Sequence, residues 1–204
     1  MTSSVATPPV SSLVLPTADG VGFKDWSLVC DALGHGRQSL ILRKGGIAEG
    51  RQGFRFKHGA FFLFPTQYHQ QAERVRPEEL ARLQLATPPP PEGTVAVRLF
   101  FALEWAEWSD DRATLARLEP FHVWRDDVVQ ERFDYDEPPG IQCAFGRVYR
   151  LEPTWTFPDR PSYGGCRSWI TLPGFPADRH SLEPVLTDAQ HAAVAGELRQ
   201  ALRR

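Results

Sequence analysis

The residues with the most distinctive chemistry are basic side chains set among apolar neighbours. Arg147 lies in the run 141–151, whose odd positions are Ile141, Cys143, Phe145, Arg147, Tyr149 and Leu151. Read as a strand, that alternation puts a guanidinium on the apolar face, between Phe145 and Tyr149. Arginine does not shed its charge, so it requires a carboxylate, a cluster of carbonyls or an anionic ligand there. Two readings follow: a structural ion pair or sheet-edge arginine, and bidentate recognition of a phosphate or base. Arg43-Lys44-Gly45-Gly46 offers a second anion site at the end of a strand. Its glycines let backbone N–H groups come close to an anion, and its cations supplement them. It lacks the GxxxxGK[ST] spacing of a P-loop, and the plainer reading is a turn with solvated cations.

Thr66, His69 and Gln70 follow the aromatic run 60–64. His69 has the chemistry of an acid or base near pH 7, and Gln70 that of a reader of base or amide edges. The alternative is a helix cap at Thr66 followed by polar residues on an exposed turn. Glu49 and His122 complete the acid–base candidates. His122 and Trp124 follow the helix-breaking Pro120 and read as core, with the His ring N–H on a backbone carbonyl. Cys166 follows Tyr163-Gly164-Gly165; catalysis by it requires His122 or His69 as partner, and no spacing shows such a pair, so it reads as a buried small residue. Trp105, Trp108, Trp155 and Trp169 read as core more readily than as stacking platforms for bases. His58 and His69 are too few and too loosely spaced for a metal site. Cys30, Cys143 and Cys166 are odd in number and widely separated, which argues against a disulfide framework and for a reducing, cytoplasmic location. No metal and no cofactor are expected.

The elements that position these residues are read from periodicity. Residues 1–19, rich in Ser, Thr, Pro and Val, read as a mobile tail. Phe23, Trp26, Cys30 and Leu33 fall on one helical stripe stopped by Gly34 and Gly36. Strands are expected at 38–44, 60–64, 94–108, 141–151 and 167–172. In the run 94–108 one face carries Val95, Val97, Leu99, Phe101, Leu103 and Trp105. Helices are expected from Thr66, from Pro77 with Glu78 and Glu79 in its first turn, over 111–118 and over 126–133. The proline run 87–91 reads as a rigid connector. A capping box, Thr187 with Gln190, opens a last helix whose stripe is Val194, Leu198 and Leu202.

Irregular alternation of strands and helices indicates an α+β fold with a mixed or antiparallel sheet, curled or closed into a small barrel, with flanking helices and a C-terminal helix. The expected organisation is a flexible tail (1–20), one α+β domain (21–180) and a C-terminal helix packed on it (181–204). A chain of 204 residues fits one domain that buries a core without staples. No apolar run approaches the roughly 20 residues of a bilayer-spanning helix, and residues 1–16 lack the pattern of a secretory signal.

Net charge is −2, so no global field draws the chain to nucleic acid. The charge is unevenly spread. Residues 37–58 hold six basic residues and one acid, and residues 104–137 hold eleven acids and four arginines. That asymmetry reads either as opposed basic and acidic faces or as two solvated surfaces.

An ordered set of motifs runs along the chain: Lys24-Asp25-Trp26; Leu42-Arg43-Lys44-Gly45-Gly46-Ile47 with Glu49; Phe64-Pro65-Thr66 with His69-Gln70; Phe121-His122-Val123-Trp124; Arg132-Phe133; Arg147-Val148-Tyr149; and Tyr163-Gly164-Gly165-Cys166-Arg167-Ser168-Trp169. Over residues 22–172 the set resembles the bacterial domain of unknown function 1802 family. The resemblance implies no fixed activity. Relatives that accompany restriction-endonuclease-like domains imply a link to nucleic-acid defence, and at fold level the likeness is to PUA-like barrels.

Three functions fit these residues. The first is a module that binds nucleic acid or a nucleotide-like anion through Arg43, Lys44, Glu49, His69, Gln70, His122 and Arg147. The second is a hydrolase or nuclease with Glu49, His69 and His122 as acid–base groups and Lys44 or Arg147 as stabiliser. The third is an interaction subunit that offers its acidic region to a protein partner.

Overall fold

The computed structural model describes residues 19–44, 54–67, 71–83 and 89–203. The tail 1–18, Gly45-Gly46, Glu49, His69 and Gln70 lie outside the described residues.

Seven described strands form one sheet in the order β2-β5-β4-β3-β1-β6, with β7 paired to β5 beyond β2. They are β1 (Asp19–Trp26), β2 (Leu40–Arg43), β3 (Ala60–Thr66), β4 (Thr94–Ser109), β5 (Ile141–Pro158), β6 (Trp169–Gly174) and β7 (Ser181–Pro184). β1 and β3 run parallel and the other pairs antiparallel, so the sheet is mixed. The helices are α1 (Ser27–Gly34), α2 (Gln71–Arg74), α3 (Pro77–Leu83), α4 (Arg112–Arg117), α5 (Asp126–Asp134) and α6 (Asp188–Arg203). The α+β class, the mixed sheet, the flanking helices and the C-terminal helix are as the sequence reading expects.

Each face of the sheet has its own core. On one face Phe23, Phe61, Leu63, Leu99, Phe101 and Phe145 pack with the helical residues Leu33, Phe133 and Leu198 and with Trp124, which precedes α5. On the other, Phe62, Phe100, Tyr149, Trp155, Ile170 and Phe175 pack against one another. The rings of Phe62 on β3 and Trp155 on β5 lie 5.0 Å apart although β4 separates those strands, so the sheet curls around this second core. The curl brings the edges together: Arg43 at the end of β2 hydrogen-bonds Ser168, just before β6, at 2.8 Å.

Two irregularities in β4 change the expected faces. Register shifts lie between Val97 and Leu99 and between Leu103 and Trp105. Val95 and Val97 therefore join the second core while Leu99 and Phe101 join the first. On β5, Phe145 belongs to the first core and Tyr149 to the second. A bulge breaks strict alternation by re-aiming side chains, which periodicity alone does not reveal.

Other elements also differ from expectation. Phe23 lies in β1, and the helix starts only at Ser27. Backbone pairing of Phe23 with Leu63 and Trp169 overrides the helical spacing of the stripe. β3 continues through Thr66, whose hydroxyl donates to the Asp25 carbonyl at 2.9 Å instead of capping a helix. β5 extends seven residues past Leu151. At the C-terminus, Gln190 accepts from the Thr187 backbone N–H at 2.9 Å and donates its own N–H to the Thr187 hydroxyl at 3.3 Å, so the capping box forms. No described helix is long and apolar enough to cross a membrane.

A cationic cleft as candidate functional site

β1 carries two adjacent charges between aromatic residues, Phe23-Lys24-Asp25-Trp26, and both are buried. Neighbouring positions on a strand point to opposite faces, so each needs its own partners. The Lys24 ammonium donates to the Tyr163 and Gly165 carbonyls, both at 2.7 Å, and pins the turn that carries Cys166 and Arg167. Burial pulls the Lys24 ammonium below its ordinary range, and the charges of Arg167 and Arg43 add to that effect. The Asp25 carboxylate accepts the Trp26 backbone N–H at 2.8 Å. Burial raises the Asp25 carboxyl, against the pull of Arg43 and Arg132.

Arg43 donates to Ser168, while its Nε is buried without a partner among the described residues. Its guanidinium lies 5.5 Å from the Phe23 ring centre. Arg132, on α5, sits 3.9 Å above the Trp124 ring and 5.2 Å from that of Trp26, and donates to the Leu42 carbonyl at 3.3 Å. Burial brings Arg132 down to about 10, with Asp25 opposing and Arg43 reinforcing the shift. Lys44 donates to the Pro138 and Phe133 carbonyls at 2.7 and 3.2 Å and lies 5.0 Å from the Trp108 ring.

Lys24, Arg43, Lys44, Arg132 and Arg167 line one cleft of about 1700 Å³ with Trp26, Thr66, Tyr163 and Cys166. Small-molecule pockets span roughly 300–1,000 Å³, so this cleft admits something longer. Its lining holds eight lysines and arginines and three carboxylates, in a chain whose net charge is −2. Asp25 beside Arg43 and Arg132, and Asp134, Asp136 and Glu137 near Lys44, offset part of this charge, and the remaining excess attracts an anion.

The residues singled out by sequence fall apart spatially. Arg43 and Lys44 line the cleft. Arg147 does not: opposite Ala102, it forms an ion pair with Asp188 at the start of α6 and donates to the Leu186 carbonyl at 3.4 Å. The capping box that starts α6 at Asp188 supplies this carboxylate. Nearby, the extra residue of the β4 bulge, Glu104, pairs with His191 of α6.

His122 is 2% exposed and its Nδ1 has no partner, so the expected ring-to-carbonyl bond is absent at that nitrogen. Burial, then Arg76 and Arg132, hold it down to about 3, a neutral imidazole at physiological pH. Cys166 is exposed, contrary to the buried reading, and follows a turn in which Gly165 takes a positive φ of 77°. Trp108, expected in the core, is 41% exposed. Three carboxylates of the acidic stretch are paired: Asp134 meets Arg112, Glu131 meets Arg74 and Asp127 meets Arg125. Among the described residues no cluster of three His, Cys, Asp or Glu is arranged to hold a metal.

Sequence reasoning missed Lys24, Asp25, Arg132, Arg167 and Ser168 as site residues, although each lies in one of the quoted motifs. Two adjacent charges flanked by Phe23 and Trp26 were the available signal, hidden by reading that segment as a helix.

No curated protein shows significant similarity to the chain. Two solved structures of ASCH from Zymomonas mobilis, one of them a mutant, align over 89% and 86% of this chain and 98% and 93% of theirs. Identities are 10% and 9%, and both TM-scores are 0.39, an overlap too shallow to bear on ligand or mechanism. The sequence profile described as Domain of unknown function (DUF1802) matches residues 22–197, nearly the whole described fold and every cleft cation named above, and the chain belongs to that family.

Proposed function

We propose that the cleft binds an anionic ligand of the nucleic-acid or nucleotide class. The observation that carries this reading is the excess of eight lysines and arginines over three carboxylates in the lining of one cleft. Lys24, Arg43, Lys44, Arg132 and Arg167 contact the phosphates, and Trp26 and Tyr163 supply ring surface beside them. The link to nucleic-acid defence implied by the family resemblance fits a ligand of this class.

The hydrolase reading has less support. Of its acid–base groups, His122 is enclosed and neutral. The interaction-subunit reading rests on the acidic region, where Asp127, Glu131 and Asp134 are engaged in ion pairs within the chain.

Hydrogen-exchange mass spectrometry with a single-stranded oligonucleotide tests the proposal. Added ligand is expected to slow exchange in peptides covering residues 24–26, 42–44 and 161–168. Protection confined to other segments, or none at saturating ligand, would exclude this cleft.

A further inference from the structure

We infer that the group seated at the floor of the cleft is a terminal phosphate monoester, the charged end of a nucleotide or strand, and not an internal phosphodiester. This inference rests on the anion-binding reading above and narrows its ligand.

The first argument is charge. Arg43 lies within electrostatic reach of Lys24, Asp25 and Arg132; Glu131 also reaches Arg132 but is paired with Arg74, so the three cations share the Asp25 carboxyl. With Asp25 ionised the cluster carries two uncompensated positive charges. A phosphate monoester carries about −1.5 to −2 near neutral pH, whereas a diester carries about −1. A diester leaves a cation uncompensated in a partly buried place, which is costly.

The second argument is access. Lys24 is 8% exposed and held beneath the Tyr163–Gly165 carbonyls, and Arg132 rests on Trp124, itself 1% exposed. A chain end reaches such a floor with its terminal group. An internal phosphate must keep both flanking nucleotides clear of the walls.

The third argument is unspent donors. Among the described residues the Arg43 Nε is buried without a partner, and two of the three protons of the Lys24 ammonium go to carbonyls, which leaves one. A terminal phosphate presents three strong acceptor oxygens where an internal one presents two that are unbridged.

The test compares one single-stranded oligonucleotide with 5′-phosphate, 3′-phosphate or only hydroxyl ends by fluorescence anisotropy at fixed ionic strength. A phosphorylated end is expected to bind at least about tenfold tighter than the hydroxyl-ended strand. Competition by a nucleoside 5′-monophosphate assigns the source: displacement at similar concentration points to free nucleotides, and failure to displace points to strand ends. Arg43→Lys keeps the charge but loses the fork, and is expected to erase most of the preference while weaker strand binding persists. Equal affinity for phosphorylated and hydroxyl-ended strands overturns this inference and leaves the anion-binding reading standing. Absence of binding to every probe overturns both. The wild-type comparison decides the matter even if the variant does not fold.

Discussion

The Arg43 guanidinium donates to the Ser168 hydroxyl at 2.8 Å, joining the end of the β2 edge to the start of the β6 edge of the curled sheet. The Lys24 backbone N–H donates to the Ser168 carbonyl at 2.8 Å beside it, so one residue closes the seam and sits next to the cleft cations. Ser168→Ala removes a hydrogen bond to a charged group, and a loss of about 1–2 kcal/mol is expected. Urea unfolding measures it, and an unchanged midpoint would mean the seam bears no load.

Asp25 couples the cleft to pH. Burial raises its folded-state pKa above the ordinary 3.8, so its stabilising contribution is complete below that value and is lost as pH rises through the raised one. Asp25→Asn is expected to flatten the fall in stability across that interval. It also removes a carboxyl that faces both Arg43 and Arg132, so sulfate, which does not titrate there, is expected to bind the variant more tightly at neutral pH. Weaker sulfate binding by a folded Asp25→Asn protein would show that the carboxylate orients the cations instead of opposing the anion.

His122 works in the other direction. Its ordinary value of 6.5 is depressed to about 3 by burial, so the stability it confers is present above 6.5 and drains away as pH falls toward 3. A His122→Gln protein is expected to lose stability less steeply over that interval in denaturant titrations. Parallel curves for the two proteins would remove His122 from the acid response.

Arg147 and Asp188 tie α6 to the sheet. The arginine side chain is 12% exposed and the aspartate 85%, so solvent weakens the pair. A double-mutant cycle with Arg147→Ala and Asp188→Ala is expected to give a coupling energy of about 1 kcal/mol. Zero coupling would make the contact incidental.

Gly146 sits where β5 meets the β4 bulge. A Cβ there would stand 2.2 Å from the Ala102 carbonyl oxygen and 2.6 Å from the Phe101 ring. Backbone cannot yield as a side-chain end can, so Gly146→Ala is expected to cost about 3 kcal/mol or more in chemical unfolding. A near-neutral effect would mean the strands part easily at this point.

Much of this architecture was legible in the sequence. Thr187 and Gln190 announced α6, Asp126 and Asp127 announced α5, and the apolar run of β4 announced the longest pairing in the sheet. Two kinds of feature were hidden. Bulges at Val97–Leu99 and Leu103–Trp105 change side-chain parity without changing composition, so the faces of β4 were misread. The site was hidden because its cations come from distant segments: Lys24 on β1, Arg43 on β2, Arg132 on α5 and Arg167 before β6. Only the curl of the sheet brings these residues together, and spacing along a chain does not encode curl.

The salt dependence of oligonucleotide binding tests the central claim most directly. The account predicts that log affinity for a single-stranded oligonucleotide falls linearly with log salt, and that Arg43→Gln and Arg167→Ala each reduce the steepness by about 0.7 as one phosphate contact is lost. Binding that ignores salt, or slopes identical in wild type and both variants, would contradict it.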